Sequence, residues 1–202
     1  MITVALLRSW DVCWTGSKIA AVAGGVTAMS PRELAAHTDI SPDDRMWVLG
    51  RTLRYLDERA ARLYAIDTAL TVAHLVDDEE PIFRGFMNDL LYAEDLPPAA
   101  RDAVRDAAWD IVYNVEYKAA MYKTVRTSAW SVAYDIGYDN ANIAYCVALS
   151  AARTVAYDAS WHLPWGNMRT ATWEAAYTAA IERSIARTLE WLGDYADGWE
   201  EP

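Results

Sequence analysis

The stretch from Pro98 to Leu163 sets the tightest limit on what this chain can fold into. After Pro98 it has no proline until Pro164, and it contains one glycine, Gly137. Aromatic residues recur within it at four-residue steps: Trp109, Tyr113 and Tyr117, then Trp130, Tyr134 and Tyr138, then Tyr157 and Trp161. A step of four keeps side chains on one helical face, whereas a strand repeats every two residues. Between Ala107 and Trp161 only nine residues are charged, so these helices are apolar on most sides and must be covered by other helices or by a partner. The pattern predicts an all-α protein, a compact multi-helix bundle or a helical-repeat array, with this Ala-, Tyr- and Trp-rich region at its centre.

The centre must fold back on itself. A single helix of that span would be about 99 Å long, whereas a compact chain of this length has a diameter of about 43 Å. Breaks are expected at residues 124–128, where β-branched and hydroxyl side chains gather, and at 137–142. There Gly137 can stop one helix and an Asp or Asn can cap the next.

Local signals divide the rest. Ile2 to Arg8 reads as a first helix, and the run from Trp10 to Ala23 as a second, stopped by Gly24 and Gly25. Ser30-Pro-Arg-Glu33 is a capping box with proline at the first helical position, opening a short helix through Ala36. Ser41-Pro42 repeats the device for a helix through about Arg54 that turns Trp47 inward. Asp57 can cap a helix over Glu58 to Val76 with Leu63, Ile66, Leu70 and Ala73 on one stripe. The turn DDEEP stops it, and Pro81 starts a helix over Ile82 to Tyr92. Leu96-Pro97-Pro98 is the clearest punctuation. Beyond the loop 162–167, with Asn167 as a cap, a last helix runs from Arg169 to Leu192 with Ala171, Ala175, Thr178, Ile181, Ile185, Leu189 and Leu192 on one face. Gly193 ends it. No β-strand is expected. The chain reads as one all-α domain over 1–202, with a subdomain boundary conceivable at 96–98 and an acidic tail over 194–202 that frays unless Trp199 docks.

Cys13 and Cys146 supply neither a disulfide framework nor a zinc spacing, which favours a reducing compartment. No signal peptide or membrane span is legible, and the expected location is the cytoplasm, that of the host cell if the gene is carried by a phage. Net charge is −11. Much of the excess lies between Asp77 and Asp95, where Asp77, Asp78, Glu79, Glu80, Asp89, Glu94 and Asp95 face one base, Arg84. Direct nucleic-acid binding needs a basic footprint and is disfavoured. A basic protein partner is allowed, and so is a plain solvating surface.

Motifs for chemistry are absent from the sequence. It has no HExxH, no Cys/His cluster, no phosphate-binding glycine loop and no GxSxG. The reading is therefore no enzyme, no catalytic residue, no metal and no cofactor. The most site-like spot is His162 between Trp161 and Trp165. A histidine among aromatics is also an ordinary packed residue, and the Tyr/Trp ladder fits core contacts as well as a wet interface. Trp165, Trp191 and Trp199 are open to either reading.

The segments DVCWTGSKIAAVAGG, SPDDRMWVLGRTL and ERAARLYAIDTALTVAHLV, followed by the Ala-and-aromatic repeat, resemble a family of immunity proteins found in bacteria and phages. The resemblance covers residues 10–162. The chain departs from it in two ways: tyrosine often stands where the repeats have alanine, and the acidic 77–95 window replaces a more mixed segment. The family supplies no catalytic residues. The resemblance implies a role in neutralising another protein.

The expected function is thus a non-enzymatic inhibitor, immunity-protein-like or a phage anti-defence protein directed at a CRISPR effector or a restriction enzyme. Its acidic helical surface would meet a basic toxin, nuclease or defence-complex subunit by charge complementarity. One alternative is a homo-oligomeric scaffold joined through the aromatic ladder. Another is a small-molecule sponge or enzyme near His162.

Overall fold

A computed structural model describes residues 1–10, 28–75, 80–93, 95–97, 100, 103 and 142–199. The order is β1 (Ile2–Thr3), α1 (Val4–Ser9), β2 (Ala28–Met29), α2 (Pro31–Ala35), α3 (Pro42–Leu56) and α4 (Glu58–Leu70). A 3-10 turn at Ala73–Leu75, α5 (Glu80–Ala93), α6 (Ile143–Trp161), α7 (Asn167–Leu192) and a 3-10 turn at Gly193–Asp197 follow. The described chain is all-α apart from the small two-stranded pair.

The capping signals act as their chemistry requires. Ser30 accepts from the Glu33 amide at 3.2 Å while the Glu33 carboxylate accepts from the Ser30 amide at 2.7 Å, a complete capping box. Ser41 accepts from the Asp44 amide and Asp57 from the Ala60 amide, so both occupy the N-caps of their helices. Each side chain satisfies an amide that the helix leaves without an internal acceptor.

Helices α3, α4, α6 and α7 pack on one another, with α5 against α4 and α2 against α3. One apolar cluster runs from Ile2 to Ala196 and includes Leu34, Met46, Leu49, Tyr64, Met87, Ile143, Val147, Ile181 and Leu192. Helix α6 is the most alanine-rich of them. Its buried face carries Ala144, Ala148, Ala151, Ala152 and Ala156, and small side chains let three neighbours approach it closely. Gly50 of α3 makes one such close meeting: a Cβ there would stand 3.0 Å from the Tyr145 amide nitrogen and 3.3 Å from the Ala144 Cβ.

Several expectations need correction. Ile2–Thr3 is a strand paired antiparallel with Ala28–Met29, Ile2 opposite Met29, so the chain does contain β-structure and α1 begins only at Val4, capped by Thr3. Helix α4 ends at Leu70 rather than Val76, and its buried face is Ala61, Tyr64, Ala65, Ile66, Thr68 and Ala69. Leu63 and Leu70 are only half buried. Trp47 is half buried and meets Trp10 edge-on at 6.5 Å. Helix α7 starts at Asn167 with Gly166 at its N-cap, so Asn167 does not cap it. Ala171, Ala175 and Thr178 are exposed. They sit roughly 80° around the helix from the buried stripe of Ile181, Ile185, Thr188 and Leu192. The tail does dock: Trp199 packs on the core, the Met1 ammonium donates to its carbonyl at 2.6 Å, and Arg32 pairs with Asp197.

Asn142 takes the N-cap position of α6, as the 137–142 break predicted, although its side chain makes no capping bond. The break at 124–128, the aromatic rungs at 109–138, the helix read over 10–23 beyond Trp10, and Cys13 lie outside the described residues. Cys146 forms no disulfide among the described residues. Among the described residues no helix is long and apolar enough to cross a membrane.

Candidate interaction surface at the α6–α7 turn

Helix α6 ends because the chain reaches Pro164. A residue before proline is pushed out of the helical region, and His162 and Leu163 turn the chain with the Leu163 amide donating back to Ser160. The turn closes at Gly166, whose φ of +143° is one that side-chain-bearing residues rarely adopt. The loop is only five residues long, so α6 and α7 are antiparallel neighbours that pack on each other.

Trp161 packs on Tyr157 one turn earlier, ring centroids 5.0 Å apart. The Arg169 guanidinium, in the first turn of α7, stands 4.0 Å from the Trp165 ring centroid and 5.6 Å from that of Trp161. A cation over the negative face of an indole is attracted by about 0.5–1 kcal/mol at exposed sites. These contacts order the tip without burying it. Trp165 is 88% exposed, Met168 68% and Trp161 61%, with Tyr157 and His162 also exposed. Among the described residues Arg169, half buried, makes no ion pair.

Further along α7, Trp173 and Tyr177 stack with centroids 4.9 Å apart and planes 9° from parallel. The Tyr177 hydroxyl donates to Asp43 Oδ1 of α3 at 2.5 Å. Partial burial, then the bonded carboxylate, raise its pKa well above that of a free tyrosine.

Trp161, His162 and Trp165 are therefore brought together as an exposed point. His162 lines neither of the two cavities bordered by Arg183 and Arg187. Tyr157, Met168 and Arg169 belong to the same point and were missed by sequence reasoning. The signal was present, since Tyr157, Trp161, Trp165, Arg169, Trp173 and Tyr177 continue one four-residue step through the turn, but a loop interrupts helical phase and hides the continuity. The rung Tyr157–Trp161 is on the surface, not in the core.

The acidic candidates fare differently. Asp77, Asp78, Glu79 and Glu94 lie outside the described residues. Glu80 opens α5, and Asp89 is exposed on the same helix. Asp95 is exposed but held by Arg59 at 2.6 Å, which neutralises it locally. Near it, Leu91, Tyr92 and Leu96 are exposed apolar side chains. Among the described residues no group of three or more His, Cys, Asp or Glu side chains is placed to hold a metal ion.

Comparison of the chain with protein-family models, with curated proteins and with solved structures finds no match.

Proposed function

We propose that this is a non-enzymatic protein-binding protein of the inhibitor type, which seizes its partner with the aromatic point at the α6–α7 turn. The observation that carries this reading is the concentration of Tyr157, Trp161, Trp165 and Met168, all exposed, around a guanidinium that makes no ion pair among the described residues. Trp, Tyr, Met and Arg are the residues enriched at the centres of protein interfaces, where a few of them carry most of the binding energy. A buried indole removes about 150–250 Å² from water, worth about 4–6 kcal/mol before association costs. The immunity-protein resemblance points the same way. The acidic balance of the chain would steer a basic toxin, nuclease or defence-complex subunit toward it, accelerating encounter more than strengthening the final complex.

A second copy of the chain could cover the same point, which is the scaffold alternative. Molecular mass measured across micromolar concentrations separates the two. A monomer supports a heterologous partner, and a concentration-dependent dimer that the Trp161→Ala/Trp165→Ala variant abolishes supports self-association.

A further inference from the structure

Between α4, α6 and α7 lies a cavity of about 200 Å³. Its inner wall is apolar, formed by Val72, Ala151, Ala152 and Val155. Its mouth is formed by Arg183 and Arg187, one turn apart on α7, which also border a shallower groove with Asp67, Glu190 and Trp191. Arg187 spends Nε and one terminal nitrogen on Asp67, with the Nε bond at 2.8 Å. Arg183 makes no ion pair among the described residues. In a chain of net charge −11, two adjacent arginines that share one bonded carboxylate are out of keeping with their surroundings, and like charges one turn apart repel.

Two of the lining hydroxyls are committed within the helices. Thr71 and Ser184 donate to the carbonyls of Thr68 and Ala180. Thr68, 3% exposed, lies beside the Tyr64 hydroxyl, which donates to the Ser184 carbonyl at 3.3 Å.

We propose that this cavity binds a small organic carboxylate. The head group would be gripped at Arg183 and Arg187, and a short apolar chain would lie against Ala151, Ala152 and Val155. A planar guanidinium matches a carboxylate in a forked pair of hydrogen bonds, and the small volume admits a chain of only a few carbons. The proposal is independent of the aromatic point.

The test is calorimetric titration of the full chain with hexanoate, with hexylammonium and inorganic phosphate as comparators. Saturable hexanoate binding with a midpoint on the order of 1 mM is expected, with no binding of hexylammonium and weaker binding of phosphate. Arg183→Gln, at an exposed position, should weaken hexanoate about tenfold or more, while Arg153→Gln should not. No saturable binding, equal binding of the cation or of phosphate, or an unchanged midpoint in Arg183→Gln would overturn the assignment.

Discussion

Arg45 of α3, 7% exposed, holds both carboxylate oxygens of Glu182 of α7, at 2.5 and 3.3 Å. Its other N–H groups donate to the carbonyls of Ala35 and Ile40. One guanidinium therefore fastens α7, the end of α2 and the turn before α3 together. Arg45→Ala frees the acid, which is 44% exposed and can turn to water, but strands the two carbonyls. A cost of about 2–4 kcal/mol is expected, seen as a fall in Tm of about 5–15 °C for a chain of this size. Glu182→Gln, which keeps one acceptor, should cost less than half as much. Thermal unfolding by circular dichroism reads both.

Gly50 gives a prediction of unexpected sign. In the middle of a helix, Gly→Ala ordinarily gains about 1 kcal/mol of helix propensity. Here the added methyl would meet the backbone nitrogen of Tyr145 at 3.0 Å, an atom fixed inside α6. Separating α3 from α6 opens packing along both helices, and overpacking of this kind costs about 1–3 kcal/mol. Gly50→Ala should therefore destabilise, by a net cost of about 1 kcal/mol in urea unfolding. A stabilised variant would mean that the two helices slide apart freely.

The tyrosines set a pH limit. Tyr64 is wholly buried, and burial pushes its pKa above the usual tyrosine value. Tyr177 is raised by burial and by its bond to Asp43. A folded pKa above the unfolded one means that the native state holds the proton longer. Its contribution is complete below pH of about 10 and is lost as pH rises beyond that. Stability should fall on the alkaline side, with ionisation of these two tyrosines coupled to unfolding when followed by absorbance. Tyr177→Phe should show a shallower alkaline fall, at some cost at neutral pH from the lost bond to Asp43. Titration of every tyrosine near pH 10 in an intact fold would contradict this.

What the sequence made legible was mostly local. Ser30, Ser41 and Asp57 announce their helices because a cap and its amide are three residues apart, and Pro164 announces the end of α6 for the same reason. The pairing of Ile2 with Met29 could not be read, since two-residue strands have no period and their partners are distant in sequence. The buried stripe of α7 was misplaced over its first half because Ala171, Ala175 and Thr178 are too small to mark a phase. Trp173 and Tyr177, half buried, flank it on the opposite side. Arg169 was invisible as part of the candidate surface because its role depends on a turn that sets two indoles against it.

The central claim is that the exposed rings at the α6–α7 turn grip a protein partner, and one comparison tests it most directly. The wild-type chain and the Trp161→Ala/Trp165→Ala variant would each be used to capture partners from a lysate of the native host, at low and high salt. Because both rings are exposed, the variant should melt within a few degrees of wild type. The account predicts one dominant partner retained by wild type and weakened by roughly 30-fold or more in the variant, a loss of at least about 2 kcal/mol. A variant that holds the same partner as tightly as wild type would contradict it.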